Sequence, residues 1–481
     1  MSDKQSIWTL DTFLQFRPSL RGNYKADVAV IGGGMAGILT AYFLQQRGVD
    51  VVVLEAGRIG RGQTRNTTAK ISCQHGLIYH RLLRDFGLEL AQQYANAQQQ
   101  AVELYRHMAG AGGIDCAFQD APSYLYSTCR TTELERELRA AEKLWIPAGF
   151  MTSTELPFAV KGAVRFANQA QFQPLRFLQA IAKTLTIFEN TMVRAVEGER
   201  IYTEGGIVQA GEIVVATHYP FVNVPGFYFL RMYQERSYVL ALRHAQRLEG
   251  MYLGIDAQGY SLRGYGETVL LGGQGHRCGE HPAESCYESL RQAAQQIYPS
   301  SVEIRGWSAQ DCMTLDGVPY IGQYSAGTPG LYVATGFGKW GMTNSMVAAV
   351  LLSDSILGKA NDCADIFSPQ RFHLRATLRR VCRDRAHWLR GMTLGFVHVP
   401  KKRLEKVPNG QGAIVKYQGK TAGVYKNFKG ETFVVSARCP HLGCRLSWNP
   451  DELSWDCPCH GSRFDYRGFL IDNPAMQGNG F

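Results

Sequence analysis

Three glycines, Gly32, Gly34 and Gly37, stand where the apolar run Val28 to Ile31 gives way to a segment of helical periodicity. This G-x-G-x-x-G at a strand-to-helix junction leaves the backbone few options. Gly32 permits the tight turn, Gly34 a close approach to a pyrophosphate, and Gly37 close packing of helix on strand. An anion then meets the free N–H groups and the dipole of the helix N-terminus. A second apolar run, Val51 to Leu54, ends in Glu55, at the distance expected of the acid that takes ribose hydroxyls. Strand, turn, helix, strand and acid together predict a dinucleotide-binding βαβ unit, without separating FAD from NAD.

A chain of 481 residues has room for two or three domains. Hydrophobic content of 45% and charged content of 19% fit an ordinary globular protein. The start, MSDKQSIWTL, lacks the apolar core of a signal peptide, and no apolar run reaches membrane-spanning length. A cytoplasmic protein is expected, with the alternative of a peripheral place at the inner membrane face. That alternative comes from the basic stretch Phe367 to Arg403, within the net charge of +10. It carries Arg371, Arg375, Arg379, Arg380, Arg383, Arg385, Arg390, Lys401, Lys402 and Arg403. Arg375 to Arg390 reads as an amphipathic helix with Leu374, Leu378, Val381 and Leu389 turned inward. The plainest reading is a solvated helix at a domain boundary; sharper ones are an anionic membrane surface or an acidic electron-transfer partner. No nucleic-acid motif accompanies the charge, so no such partner is expected.

Between these points, residues 82–108, 132–145 and 283–297 read as helices, and 191–217 and 226–275 as short strands with Gly-rich turns. The loop Ala56 to Ser72 supplies backbone donors and hydroxyls that could close over a cofactor. A second strand, glycine loop and helix follow at Leu331 to Leu357, with Gly336, Gly338 and Gly341 in the loop.

The end of the chain carries the most specific signal. Cys439-Pro440-His441-Leu442-Gly443-Cys444 and Cys457-Pro458-Cys459-His460-Gly461-Ser462 each offer one Cys and one His as ligands, plus a second Cys. Thiolates and imidazoles suit zinc or an iron–sulfur cluster. The pairing of C-x-H with C-P-C-H-G-S, and the second Cys in each loop, closely resembles a Rieske domain rather than a zinc knuckle. The resemblance implies a [2Fe–2S] cluster with Cys439 and Cys457 on one iron and His441 and His460 on the other. It also implies a disulfide between Cys444 and Cys459, and a hydrogen bond from Ser462 to a cluster sulfur. Phe464 stands where high-potential relatives often have a tyrosine donor, and its loss should lower the potential.

The front of the chain resembles the D-amino-acid-oxidase-like family of FAD enzymes, through DVAVIGGGMAGILTAYFL with VVVLEAG, VVATHYP, DGVPYIG and GFGKWGMT. This implies FAD and an α/β fold: a Rossmann-like FAD-binding part interleaved with an α+β substrate part, followed by a small all-β Rieske domain. The expected boundaries are 24–362 for the oxidoreductase, with FAD part at about 24–90, 150–220 and 305–362 and substrate part at about 91–149 and 221–304. A basic helical linker at 363–405 and the Rieske domain at 406–481 follow. FAD contacts are expected from Gly32, Gly34, Met35, Ala36, Gly37, Glu55, Ala56, Arg58, Thr67, Thr68, Val193, Ala216 and Thr217. Further contacts are expected from Gly336, Gly338, Lys339, Trp340, Gly341, Met342 and Thr343. Relatives that oxidise amino acids often carry a histidine and a lysine where Trp340 and Thr343 stand, so a substrate carboxylate would lack that anchor. Cys312, near the place where some relatives attach flavin, reads as a small buried hydrophobe. Lys70, Lys339 and Trp340 are the candidate catalytic residues.

The expected function is a FAD-dependent oxidoreductase acting on the C–N bond of a small amine or amino-acid-like substrate. Its electrons would pass through the cluster to an unknown one-electron acceptor. A flavin oxidase using O2 directly, with the cluster structural or redox-sensing, is one alternative; a non-catalytic electron-transfer or sensing module is another. A Rieske oxygenase is disfavoured, since no domain offers a mononuclear iron site of two His and one carboxylate.

Overall fold

The structure is a computed structural model that describes residues 4–280, 282, 284–371 and 404–481. The expected helix Arg375 to Arg390, and the basic residues from Arg375 to Arg403, lie outside the described residues.

The first apolar run becomes the strand Tyr24–Ile31, at the centre of a largely parallel sheet. Val51–Leu54 and then Thr186–Phe188 lie on one side of it, Ile207–Val215 and then Leu331–Thr335 on the other. Val51–Leu54 is buried throughout, as expected of a strand covered on both faces. The helices Met35–Gln45 and Gly341–Ile356, each following a glycine loop, pack against each other in the core over this sheet.

A second sheet has eight strands in the order Val302–Thr314, Met232–Arg243, Thr268–Arg277, Ser261–Tyr265, Met251–Gly254, Ser123–Ser127, Gly162–Phe166 and Ala148–Met151. Its strands at 162–166 and 302–314 come from ranges read in the sequence as FAD part. Side chains alternate between its two faces. Val239, Ala241, Leu270 and Trp307 join the main core, while Tyr238, Leu240, Leu242 and Leu271 pack with the helix Cys286–Ile297. Ser285 caps that helix, its hydroxyl accepting from Glu288 N–H at 3.3 Å. The helix expected over 82–108 is two helices, Tyr79–Phe86 and Leu88–Gly110, because Gly87 takes a φ of +86° between them.

The C-terminal domain is antiparallel throughout: three strands, Gly412–Tyr417, Lys420–Lys426 and Thr432–Ser436, and four short ones between Ser447 and Asp472. Tyr425, Val435, Trp455 and Phe464 form its core.

Arg371, counted in the sequence with the basic stretch, forms an internal ion pair. Its Nε and Nη2 meet the Asp316 carboxylate at 2.8 and 2.9 Å, and its guanidinium lies 4.1 Å over the Tyr320 ring. The side chain is 3% exposed because Asp316 and the carbonyls of Pro319, Val318 and Ser368 take its donors.

Candidate functional site

Each glycine of the first turn answers to a different neighbour. Gly32 has a φ of +112°, and a Cβ there would sit 2.5 Å from the Ala216 carbonyl oxygen. A Cβ on Gly37 would fall 1.9 Å from the Gly32 carbonyl oxygen. Gly34 differs: its backbone is ordinary extended chain, and its Cβ would meet only Thr64 Oγ1, at 3.5 Å. Space is therefore open beside the helix N-terminus, where a phosphate group fits. Glu55 accepts from the N–H groups of Gly33 at 2.7 Å and Gly57 at 2.8 Å. Burial raises its pKa, and these two donors oppose the rise. A carboxylate has further lone pairs, so those bonds leave acceptor capacity for ribose hydroxyls.

This turn opens into a cavity of about 1050 Å³ between the two sheets. Of the sequence-predicted cofactor residues, all but Gly37 and Thr343 line it. Gly37 acts behind the wall as a packing position. Thr343 is a correction: its hydroxyl lies behind the wall, 3.0 Å from His75 Nε2 and 3.2 Å from the Ser72 carbonyl. Arg58 reaches the wall, yet its guanidinium is committed to Glu189 at 3.3 Å and to the Leu14 carbonyl at 2.6 Å. Cys312 is buried and does not line the cavity, as its small-hydrophobe reading expects.

The three candidate catalytic residues also line the cavity. Lys70 is buried and donates to the Tyr252 carbonyl at 2.8 Å and Ser261 Oγ at 2.7 Å. Burial, then the nearby Arg263 charge, lowers its pKa to about 7. Trp340 stacks at 4.7 Å on His75, which burial holds neutral with a pKa lowered to about 3. Lys339 pairs with Glu235 at 3.1 Å.

Sequence reasoning missed Asp311. It lies in the strand Val302–Thr314 and lines the cavity beside Ala309. Burial pushes its pKa up to about 7, opposed by Lys339 and reinforced by Glu235. The next residue back, Gln310, points the other way and donates to the Gly461 carbonyl at 2.8 Å. On the paired strand, Gln234 likewise donates to the His460 carbonyl at 2.7 Å. The two strands thus form a wall one sheet thick, with the cavity on one face and the second Cys/His loop on the other. The C-terminal domain also enters the cavity directly through Asp472, Asn473, Ala475 and Met476. Asn473 fixes this segment by donating to the carbonyls of Thr217 at 3.0 Å and Tyr219 at 2.7 Å. No local pattern in the sequence signals any of these placements.

The Cys/His loops converge as their spacing predicts. The thiols of Cys439 and Cys457 contact each other, Ser462 hydrogen-bonds to Cys439, and backbone N–H groups of His441 and His460 approach the two sulfurs. The rings of His441 and His460 lie 5.0 Å apart at 87°. Their Nδ1 atoms are buried without a hydrogen-bond partner, an arrangement a metal relieves. Burial lowers their pKa values to about 4 and about 3, keeping both rings neutral and able to ligate. His441 Nε2 instead meets Asn223 Oδ1 at 3.1 Å, on the flavin side of the interface. Cys444 and Cys459 are joined in a disulfide. The sulfurs of Cys444, Cys457 and Cys459 also cluster, but that disulfide consumes two of them, so they are no separate cation site.

Fold and site together define a flavin oxidoreductase with an attached Rieske iron–sulfur domain, holding FAD and a [2Fe–2S] cluster. The chain belongs to the FAD dependent oxidoreductase family, which it matches over residues 27–355, and it matches the Rieske [2Fe-2S] domain over 398–479. It is 36% identical over 490 residues to YhfW of Bacillus subtilis (strain 168), which carries the name of a Rieske 2Fe-2S iron-sulfur protein; the match spans 98% of this chain and 96% of that one. In structure it is similar to glycine oxidase from Geobacillus kaustophilus, with TM-score 0.62 and 20% identity, over 73% of this chain and 99% of that one. It is also similar to L-proline dehydrogenase from P. horikoshii, with TM-score 0.61 and 19% identity, over 74% of this chain and 98% of that one. Among the described residues no helix is long and apolar enough to cross a membrane.

Proposed function

We propose that the chain oxidises a small amine or amino-acid-like substrate at its C–N bond and passes the electrons through the cluster to a one-electron acceptor. The observation that carries this reading is the shared wall. The strands Met232–Arg243 and Val302–Thr314 present Asp311 to the cavity and Gln234 and Gln310 to the second cluster loop.

Bound FAD supplies a two-electron acceptor that can release electrons singly. The chain's own groups do the rest. The glycine turn and the N-terminus of Met35–Gln45 would hold the pyrophosphate, and the Gly336 to Met342 loop would face the ring system. Neutral His75 stacks on Trp340 and fixes that wall. Cys439, His441, Cys457 and His460 would hold the cluster, with Ser462 bonding to a sulfur. Gln234 and Gln310 clamp the second cluster loop onto the sheet, so the distance between the two redox sites is set by packing. The similarity in fold to glycine oxidase and L-proline dehydrogenase supports a C–N substrate class without naming its member, while Trp340 in the closing glycine loop leaves a substrate carboxylate without the anchor that relatives often carry there.

Anaerobic titration with candidate amines and amino acids tests this. Flavin absorbance should bleach first, and the paramagnetic signal of the reduced cluster should follow in the same sample. Bleaching that never reaches the cluster, with flavin reoxidised by O2, would instead make the protein an oxidase with a structural or sensing cluster.

A further inference from the structure

Asp311 is a half-buried carboxylate on the cavity wall with an unfinished environment. No hydrogen-bond donor reaches it among the described residues, and the influences on it are the charges of Lys339, Glu235 and Arg236. Lys339 is already paired with Glu235. Arg236 is paired with Glu452 and bonds to Gln310 and Ser308. Arg277 stands opposite Glu235 on the next strand, and among the described residues Asp311 itself is left with no cation at ion-pair distance. A partly desolvated carboxylate without donor or cation is incompletely satisfied, and the partner that fits it is a donor with positive charge.

We propose that Asp311 anchors the substrate's ammonium and accepts one of its protons, so that the substrate class is a cationic amine with no carboxylate on the carbon to be oxidised. The proposal rests on the reading of the cavity as a site of amine oxidation. The proton transfer is balanced: ammonium and carboxylate become neutral amine and carboxylic acid, and the nitrogen lone pair is freed. A carboxylate one carbon from that nitrogen would be pushed against Asp311 and Glu235.

Of the other cavity cations, Arg58 is committed to Glu189 and the Leu14 carbonyl and Arg61 stands beside the glycine turn, so Lys70 is the one to weigh as an anchor for an α-amino acid. Lys70 sits at Ser261, and the ladder runs from Ser261 to Gly272, Val239 and Trp307. Asp311 lies four residues beyond Trp307 on the last strand. Three strand spacings across and four residues along put the two groups about 20 Å apart. The ammonium and carboxylate of one α-amino acid are only about one-seventh of that distance apart, given covalent bond lengths of about 1.5 Å.

The test uses the full-length protein with FAD bound and two probes without an α-hydrogen, so binding is read without turnover. These are tert-butylamine and 2-aminoisobutyrate, which differ by a carboxylate in place of a methyl group. Perturbation of the oxidised flavin spectrum should show tert-butylamine binding at least tenfold tighter. Asp311→Asn should abolish that preference while flavin content and circular dichroism stay unchanged, and Asp311→Arg should shift it toward pivalate. Equal or tighter binding of 2-aminoisobutyrate by the wild type overturns the proposal. So does a preference unchanged in Asp311→Asn, or no binding of tert-butylamine at tens of millimolar. Bleaching by butylamine and 2-aminobutyrate under nitrogen is scored separately. Asp311-dependent binding without bleaching supports the anchor and retires the oxidation; bleaching that Asp311→Asn leaves untouched retires the anchor and keeps the oxidation.

Discussion

Gly34 and Gly37 lie one helical turn apart, yet their replacement should fail in opposite ways. A methyl on Gly37 would start 1.9 Å from the Gly32 carbonyl oxygen, where real Cβ contacts stay above 3.0 Å. The neighbour is backbone, so the helix Met35–Gln45 must move away from its strand by about 1 Å along that contact. Overpacking of this kind costs about 1–3 kcal/mol. That is about a 5- to 150-fold loss in the folding equilibrium. Gly34 has room in the protein and an unstrained backbone, so valine there should leave the apoprotein's stability within about 1 kcal/mol, the loss being that of a weaker N-cap. Its branched side chain enters the space read as the pyrophosphate site. Gly34→Val should therefore purify with under a tenth of the wild-type flavin. Gly37→Ala should melt early even without flavin. The assay is urea unfolding of both apoproteins by far-ultraviolet circular dichroism, with flavin content measured by absorbance after release. FAD must be removed first, because a ligand bound to the native state adds stability of its own. A Gly34→Val protein with a full flavin spectrum would refute the phosphate assignment. Equal apoprotein midpoints for Gly37→Ala and wild type would refute the packing argument.

Arg371→Ala should cost about 3–5 kcal/mol at pH 7, because it strands the buried Asp316 carboxylate. Arg371 holds the Asp316 pKa below its ordinary value of 3.8 against the effect of burial. The pair's contribution is thus complete above pH 3.8 and lost as pH falls through the lower folded-state value, so the gap in urea midpoints between wild type and variant should close in acid. Gln234→Leu with Gln310→Leu removes both clamps on the second cluster loop. Stopped-flow measurement should show slower cluster reduction after flavin bleaching, with the cluster's own paramagnetic spectrum unchanged; an unaltered rate would show that the clamps do not set the redox geometry. His460→Cys, if the cluster assembles, should lower the midpoint potential and flatten its pH dependence in a redox titration, because a thiolate adds negative charge and removes a titrating ring.

The sequence by itself determined what depends on short stretches of backbone. A strand ending in Gly32, Gly34 and Gly37 can make one kind of turn, and the reason lies in sterics within a few residues. The two Cys/His loops likewise carry a complete ligand set within their own spacing, so the metal centre was legible before any strand was paired. What only the tertiary structure decided is how these pieces face each other. Strand residues alternate, but which of Gln310 and Asp311 turns to the cavity depends on the sheet's packing, and that is settled by contacts from distant parts of the chain. The same holds for Arg371, whose charge marks it for solvent until Asp316 takes it inside. It holds too for Asp472 to Met476, which read as the end of an iron–sulfur domain and stand in the wall of the flavin cavity. Docking one domain on another is fixed by surface complementarity across hundreds of residues of sequence, and no local propensity records it.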